Sequence, residues 1–142
     1  QNMLDALLEI DPGNSDFYRE NFGNLLKRIE EADTEIERLL KNISSRDFII
    51  YHPALSYFAR DYNLHQHSIE FEGKSPSPAQ IKELIDEARE NGIKSVFIQQ
   101  EFDVKNSRVI AEELGAQTYV INPLAYEWDR ELINIAKILS EQ

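Results

Sequence analysis

The sequence predicts an α/β fold: a long N-terminal helix followed by a four-stranded, mainly parallel sheet flanked by helices. Three observations carry this expectation. Up to about residue 44, apolar residues recur only at helical steps. From residue 47 onward, short apolar runs alternate with amphipathic stretches. The links between them are short, which implies right-handed strand–helix–strand units and a parallel sheet. The organisation read from this is a linking helix region over 1–44 and an α/β lobe over 45–142.

The chain opens at Gln1, already in the pattern of an amphipathic helix, so it is expected to be a piece of a longer protein. Asp11-Pro12-Gly13-Asn14 interrupts that helix with turn-forming residues. Phe22, Leu25, Leu26, Ile29, Ile36, Leu39, Leu40 and Ile43 then mark one face of a helix over 15–42. Such a helix is roughly 42 Å long at 1.5 Å per residue and would overhang a small lobe. A coiled coil is the competing explanation, but the heptads are few and break near Ala32 and Asp33.

Phe48-Ile49-Ile50-Tyr51 reads as a strand covered on both faces, and 53–62 as a helix with Pro53 in its first turn. The alternation over 68–72 suggests the second strand, leaving His65 and His67 in a polar, exposed loop. Ser77, Pro78 and Gln80 form a helix start in which Ser caps and Gln reaches back, and Asn91-Gly92 ends that helix. The spacing predicts further strands over 95–99 and 118–121, and helices over 103–114 and 129–139.

Composition narrows function. The 142 residues carry 15 basic and 26 acidic side chains, a net charge of −11, which argues against a nucleic-acid binder because phosphate neutralisation needs clustered Lys and Arg. With no cysteine, disulfides, thiolate ligands and cysteine nucleophiles are excluded. No apolar run approaches the roughly 18 residues of a membrane span. Length and apolar content suit one folded domain.

In parallel sheets ligands bind beyond the carboxyl ends of the strands. The informative residues are therefore Tyr51-His52-Pro53, Glu70 and Glu72, Gln99-Gln100-Glu101 and Asn122-Pro123. No glycine-rich phosphate loop or Gly-x-Ser-x-Gly turn occurs, and Ser56 falls within a helix. His52 and Gln99 stand where a phosphoacceptor domain needs carboxylates. An imidazole among carboxylates and amides suits zinc, manganese or iron, although one histidine at a strand end is also a common structural residue.

The segment Phe48-Ile-Ile-Tyr-His52-Pro-Ala-Leu-Ser-Tyr-Phe-Ala-Arg-Asp-Tyr-Asn-Leu64 resembles the second-lobe entry of the zinc- and manganese-binding receptors of ABC importers. Ser75-Pro-Ser-Pro78, Val96-Phe-Ile-Gln-Gln-Glu-Phe102, Ala111-Glu-Glu-Leu-Gly115 and Val120-Ile-Asn-Pro-Leu124 agree in order and spacing. The long helix, entered through Glu9-Ile-Asp-Pro12, resembles the rigid helix joining the two lobes. The resemblance implies a periplasmic or extracytoplasmic, sometimes lipid-anchored or adhesin-like, receptor that is not an enzyme and passes its metal to a membrane permease. It implies a metal site in the cleft between lobes, to which this lobe contributes His52. The oxygen ligand is usually the Asp of an Asp-Pro-Leu turn. Asn122 occupies that position here, which brings in Glu70 or Glu101 as replacements. The family's Glu-Pro-Gln-Phe segment reads Gln99-Gln100-Glu101-Phe102.

Two other readings stand beside this one. A flavodoxin-like enzyme domain would use His52 as general base, with Glu101 or Glu72 orienting it. An interaction domain would use the long helix as its binding surface, and self-association through Leu25, Leu26, Ile29 and Ile36 is an expectation of that exposed face.

Overall fold

Local sequence places each element before tertiary contacts refine it. In the computed structural model the described residues are 1–70, 73–100 and 104–141, the side chains of 104–106 excepted. Helix α1 (Asn2–Ile10) ends at Asp11, and a single 3₁₀ turn (Pro12–Asn14) leads directly into α2 (Ser15–Leu40). Asp11 braces the corner: its carboxylate accepts from Asn14 at 2.8 Å and from the Tyr18 hydroxyl at 2.6 Å. The remaining elements are β1 (Asp47–Ile50), α3 (Ser56–Asp61), β2 (His65–Ser68), α4 (Pro78–Glu90), β3 (Ser95–Gln99), α5 (Val104–Leu114), β4 (Gln117–Ile121) and α6 (Trp128–Ser140).

The strands form one sheet in the order β2-β1-β3-β4, and every pairing is parallel. Alternation along the strands separates two cores. Phe48, Ile50, Phe97 and Ile121 face Ile36 and Leu40 of α2, Phe58 of α3 and Ile135 and Leu139 of α6. Ile49, Tyr51 and Val96 face Ile85 and Ala88 of α4 and Ile110 and Ala111 of α5. The result is three layers, helix–sheet–helix. The break in the heptads at Ala32 is where the long helix goes inside: Ala32, Ile36 and Leu40, spaced by four, are its buried residues. Arg28 then ties the helix to α6, reaching both Asp129 oxygens at 2.7 and 3.0 Å.

Three helices end by the same device. The N–H of Leu64, Ile93 and Ala116 reaches back to the carbonyls of Ala59, Ala88 and Ala111 at 2.8 to 2.9 Å. The residue before each, Asn63, Gly92 or Gly115, has φ between 53° and 64°. This is the left-handed C-cap expected of Gly or Asn. The predicted capping box at Ser77 and Gln80 is present.

Two expectations shift. The second strand begins at His65, not residue 68, and the third helix begins at Ser56, not Pro53. The reason is shared: Gln66 on the strand caps the helix start, its Oε1 accepting the Leu55 N–H at 3.0 Å and its Nε2 donating to Ser56 Oγ at 3.1 Å. His65 is exposed as expected, but His67 is not. Its side chain is 15% exposed and its Nε2 lies 2.8 Å from Asp47 Oδ1. Strand periodicity turns it toward α4, where Glu87 lies 3.5 Å away.

Candidate metal-binding rim

The strand order places a switch point between β1 and β3: β1 is followed by β2 on one side, and β3 by β4 on the other. The connections therefore part on opposite faces and leave a crevice beyond these two carboxyl ends. His52 is the second residue past β1 and stands at that crevice.

The backbone around it is held from both neighbouring strands. The Tyr51 N–H donates to the Phe97 carbonyl of β3 at 3.1 Å, and the Tyr51 carbonyl accepts the Glu70 N–H at 3.0 Å. Glu70 is thus carried alongside β1 by two residues of ladder beyond β2. Its carboxylate meets the histidine ring, with His52 Nδ1 2.8 Å from Glu70 Oε2. The ring is 45% exposed, whereas Glu70 is 11% exposed. From the other side the buried Gln99 amide takes hold of the His52 backbone. Gln99 Oε1 accepts the His52 N–H at 3.3 Å, and Gln99 Nε2 donates to the His52 carbonyl at 2.6 Å. Gln99 is only 2% exposed.

Asn122 lies past the edge strand β4 in a tight turn. Its carbonyl accepts from the Ala125 N–H at 2.9 Å, and its side-chain Oδ1 accepts from the Leu124 N–H at 3.1 Å. Its own N–H donates to Glu131 Oε1 at 2.7 Å, which fixes the turn to the first turns of α6. Among the four predicted site residues, the fold brings His52 and Glu70 into contact, and Asn122 is engaged in its own turn. Glu101 lies outside the described residues, as does Glu72. Among the described residues no group of three or more His, Asp or Glu side chains is arranged to enclose a metal ion.

Gln99 is the residue whose part sequence reasoning missed. Its position predicts a rim amide, yet it turns inward to the neighbouring loop. Its one sequence signal is position, as the last residue of a strand otherwise made of Ser and apolar residues. Ser56, set aside as a nucleophile, donates to the Pro53 carbonyl at 3.0 Å within the start of α3.

An open parallel sheet with helices on both faces and a half-exposed histidine at its switch point defines a lobe of the α/β class. The chain belongs to the family described as zinc-uptake complex component A, periplasmic, which matches residues 1–134. The high-affinity zinc uptake system protein ZnuA of Bacillus subtilis is 27% identical over 126 residues, 87% of this chain and 40% of that protein. A crystal structure of ZnuA superposes with a TM-score of 0.93 at 40% identity, over 98% of this chain and 55% of that one. The laminin binding protein (Lmb) of Streptococcus agalactiae, described as bifunctional with adhesin and metal transporting activity, gives 0.88 at 27% identity, over 99% of this chain and 58% of that one. The chain therefore spans about half the length of these relatives, or less. The flavodoxin-like enzyme reading, with His52 as base, gains no support from any of these matches.

Proposed function

We propose that this chain is the C-terminal lobe and linking helix of an extracytoplasmic receptor that captures a divalent transition metal and delivers it to the permease of an ABC importer. The observation that carries the reading is His52, half-exposed at the crevice between β1 and β3 in a fold shared with metal-uptake receptors. In this reading residues 1–44 join the lobes, residues 45–142 form the second lobe, and the receptor works outside the cytoplasm, periplasmic or lipid-anchored.

His52 supplies one imidazole nitrogen to the metal. An oxygen from Asn122, Glu70 or Glu101 completes the lobe's share. Asn122 would have to share or give up its bond from Leu124, and as a neutral amide it adds no charge. Glu70 would have to reach past the ring it already touches. Zinc is the better match of the two expected metals, because imidazole suits it and manganese prefers a carboxylate-rich set. The names of zinc-uptake relatives point the same way.

Calorimetric titration tests this. The chain should bind zinc weakly through His52, with the signal lost in His52→Ala. Zinc binding that is unaltered by His52→Ala would overturn the proposal. A tight single site abolished by that substitution would show that this lobe already holds a full ligand set, contrary to a shared cleft.

A further inference from the structure

We propose that Glu70 and Gln99 are positioning residues that lock the His52 ring and its protonation form before any metal arrives, and that Glu70 is therefore not itself a ligand. This rests on the reading of His52 as the lobe's nitrogen donor. An ionised carboxylate can only accept a hydrogen bond. With the carboxylate as acceptor 2.8 Å from His52 Nδ1, the geometry assigns the shared proton to Nδ1 and leaves Nε2 as the ring nitrogen turned away from Glu70. The more buried partner is the carboxylate and the more exposed one is the ring, so the pair directs the ring outward from a fixed base. A carboxylate behind the imidazole also raises its basicity as a ligand.

Gln99 acts on the same residue through its backbone. A primary amide both donates and accepts, so one buried side chain can hold the N–H and the carbonyl of a single residue. Glutamate at this position accepts the N–H but sets a carboxylate oxygen against the carbonyl. Gln99 and Glu70 thus fix both ends of His52, the backbone from β3 and the ring from the extension of β2. The ordering of the donor is completed during folding and does not have to accompany metal capture.

The test uses the metal-free chain labelled with ¹⁵N at histidine. Ring correlations should show His52 protonated on Nδ1. Glu70→Leu should shift it toward the other tautomer and weaken zinc binding about tenfold or more, the range found when such carboxylates are lost. Glu70→Gln, which can still accept from Nδ1, should recover most of that loss. Gln99→Glu and Gln99→Met should broaden or double the His52 ring signals and weaken zinc about tenfold, while His65 and His67 signals stay in place. A His52 ring protonated on Nε2 overturns the proposal. So does Glu70→Gln losing as much zinc affinity as Glu70→Leu, which would make Glu70 a ligand. Sharp, unshifted His52 signals in both Gln99 variants overturn its part. If zinc leaves the His52 ring signals unmoved while the tautomer is as expected, the metal reading fails and the positioning geometry stands.

Discussion

At the scale of single residues, carboxylates do more to hold this fold together than the excess of negative charge suggests. Hydrogen bonding from Arg28 is the largest cause holding the Asp129 carboxyl below its ordinary range, and the Tyr18 hydroxyl followed by Asn14 does the same for Asp11. A depressed folded value means the carboxylate form is favoured by folding. The stability is then fully present above the ordinary value near 4 and is lost as pH falls through the lower folded values. We expect Asp129→Asn to be less stable than the parent by a constant margin near neutrality, with the margin closing as pH falls below about 4. Urea midpoints measured across that range provide the check; a margin independent of pH would remove Asp129 from the account. Asn63 shows a residue whose backbone role was hidden, since its φ of 53° is one that Asn tolerates and β-branched residues do not.

At the scale of elements, the ends of helices reveal how separate segments are tied. One guanidinium serves two of them. Arg46 donates through Nη1 to the Tyr62 and Asn63 carbonyls at 3.1 and 3.4 Å, and through Nη2 to the Leu40 carbonyl at 3.3 Å. It thereby satisfies the last carbonyl of α2 and the two that follow α3, and sets the entry of β1 between them. Next to it the Tyr62 hydroxyl donates to Asp33 at 2.6 Å, and burial together with this bond pushes the phenol far above its usual range. Arg46→Met should cost about 1–3 kcal/mol, because partly buried carbonyls lose a charged donor. Arg46→Lys should recover only part, since an ammonium lacks the planar fork. Thermal or urea unfolding distinguishes the two. Equal stability of all three proteins would mean that water replaces the guanidinium at no cost.

At the scale of the whole molecule, α2 leads two lives. Its C-terminal part lies inside the core with α6 and takes with it Ile36, expected on the self-association face, while Phe17, Leu25, Leu26 and Ile29 are exposed earlier along it, as are Met3 and Ile10 of α1. A stripe of that kind on a small protein marks an interaction face. We therefore expect this chain in isolation to self-associate, with Leu26→Glu and Ile29→Glu together restoring a monomer. Light scattering over a concentration series reads the outcome, and a strict monomer at all concentrations removes the expectation. The same asymmetry fits a helix that joins two lobes, because half of it is anchored in this one.

Sequence alone determined the alternation of elements, the parallel sheet, the capped start at Ser77, the glycine stops and the place of His52 past the first strand. These follow from short-range rules: period, capping and conformational restriction act within a few residues and are written in order along the chain. It missed the start of β2, and with it the burial of His67, because Gln66 bonds to the start of α3 and Asp47 to His67 on the neighbouring strand, and no local pattern announces either pairing. It left open what Glu70, Gln99 and Asn122 do. Only the tertiary structure set Glu70 against the ring, turned Gln99 onto the His52 backbone and closed Asn122 into its own turn. A polar side chain takes the partner that folding brings within about 3 Å, and that choice depends on strands far apart in the chain.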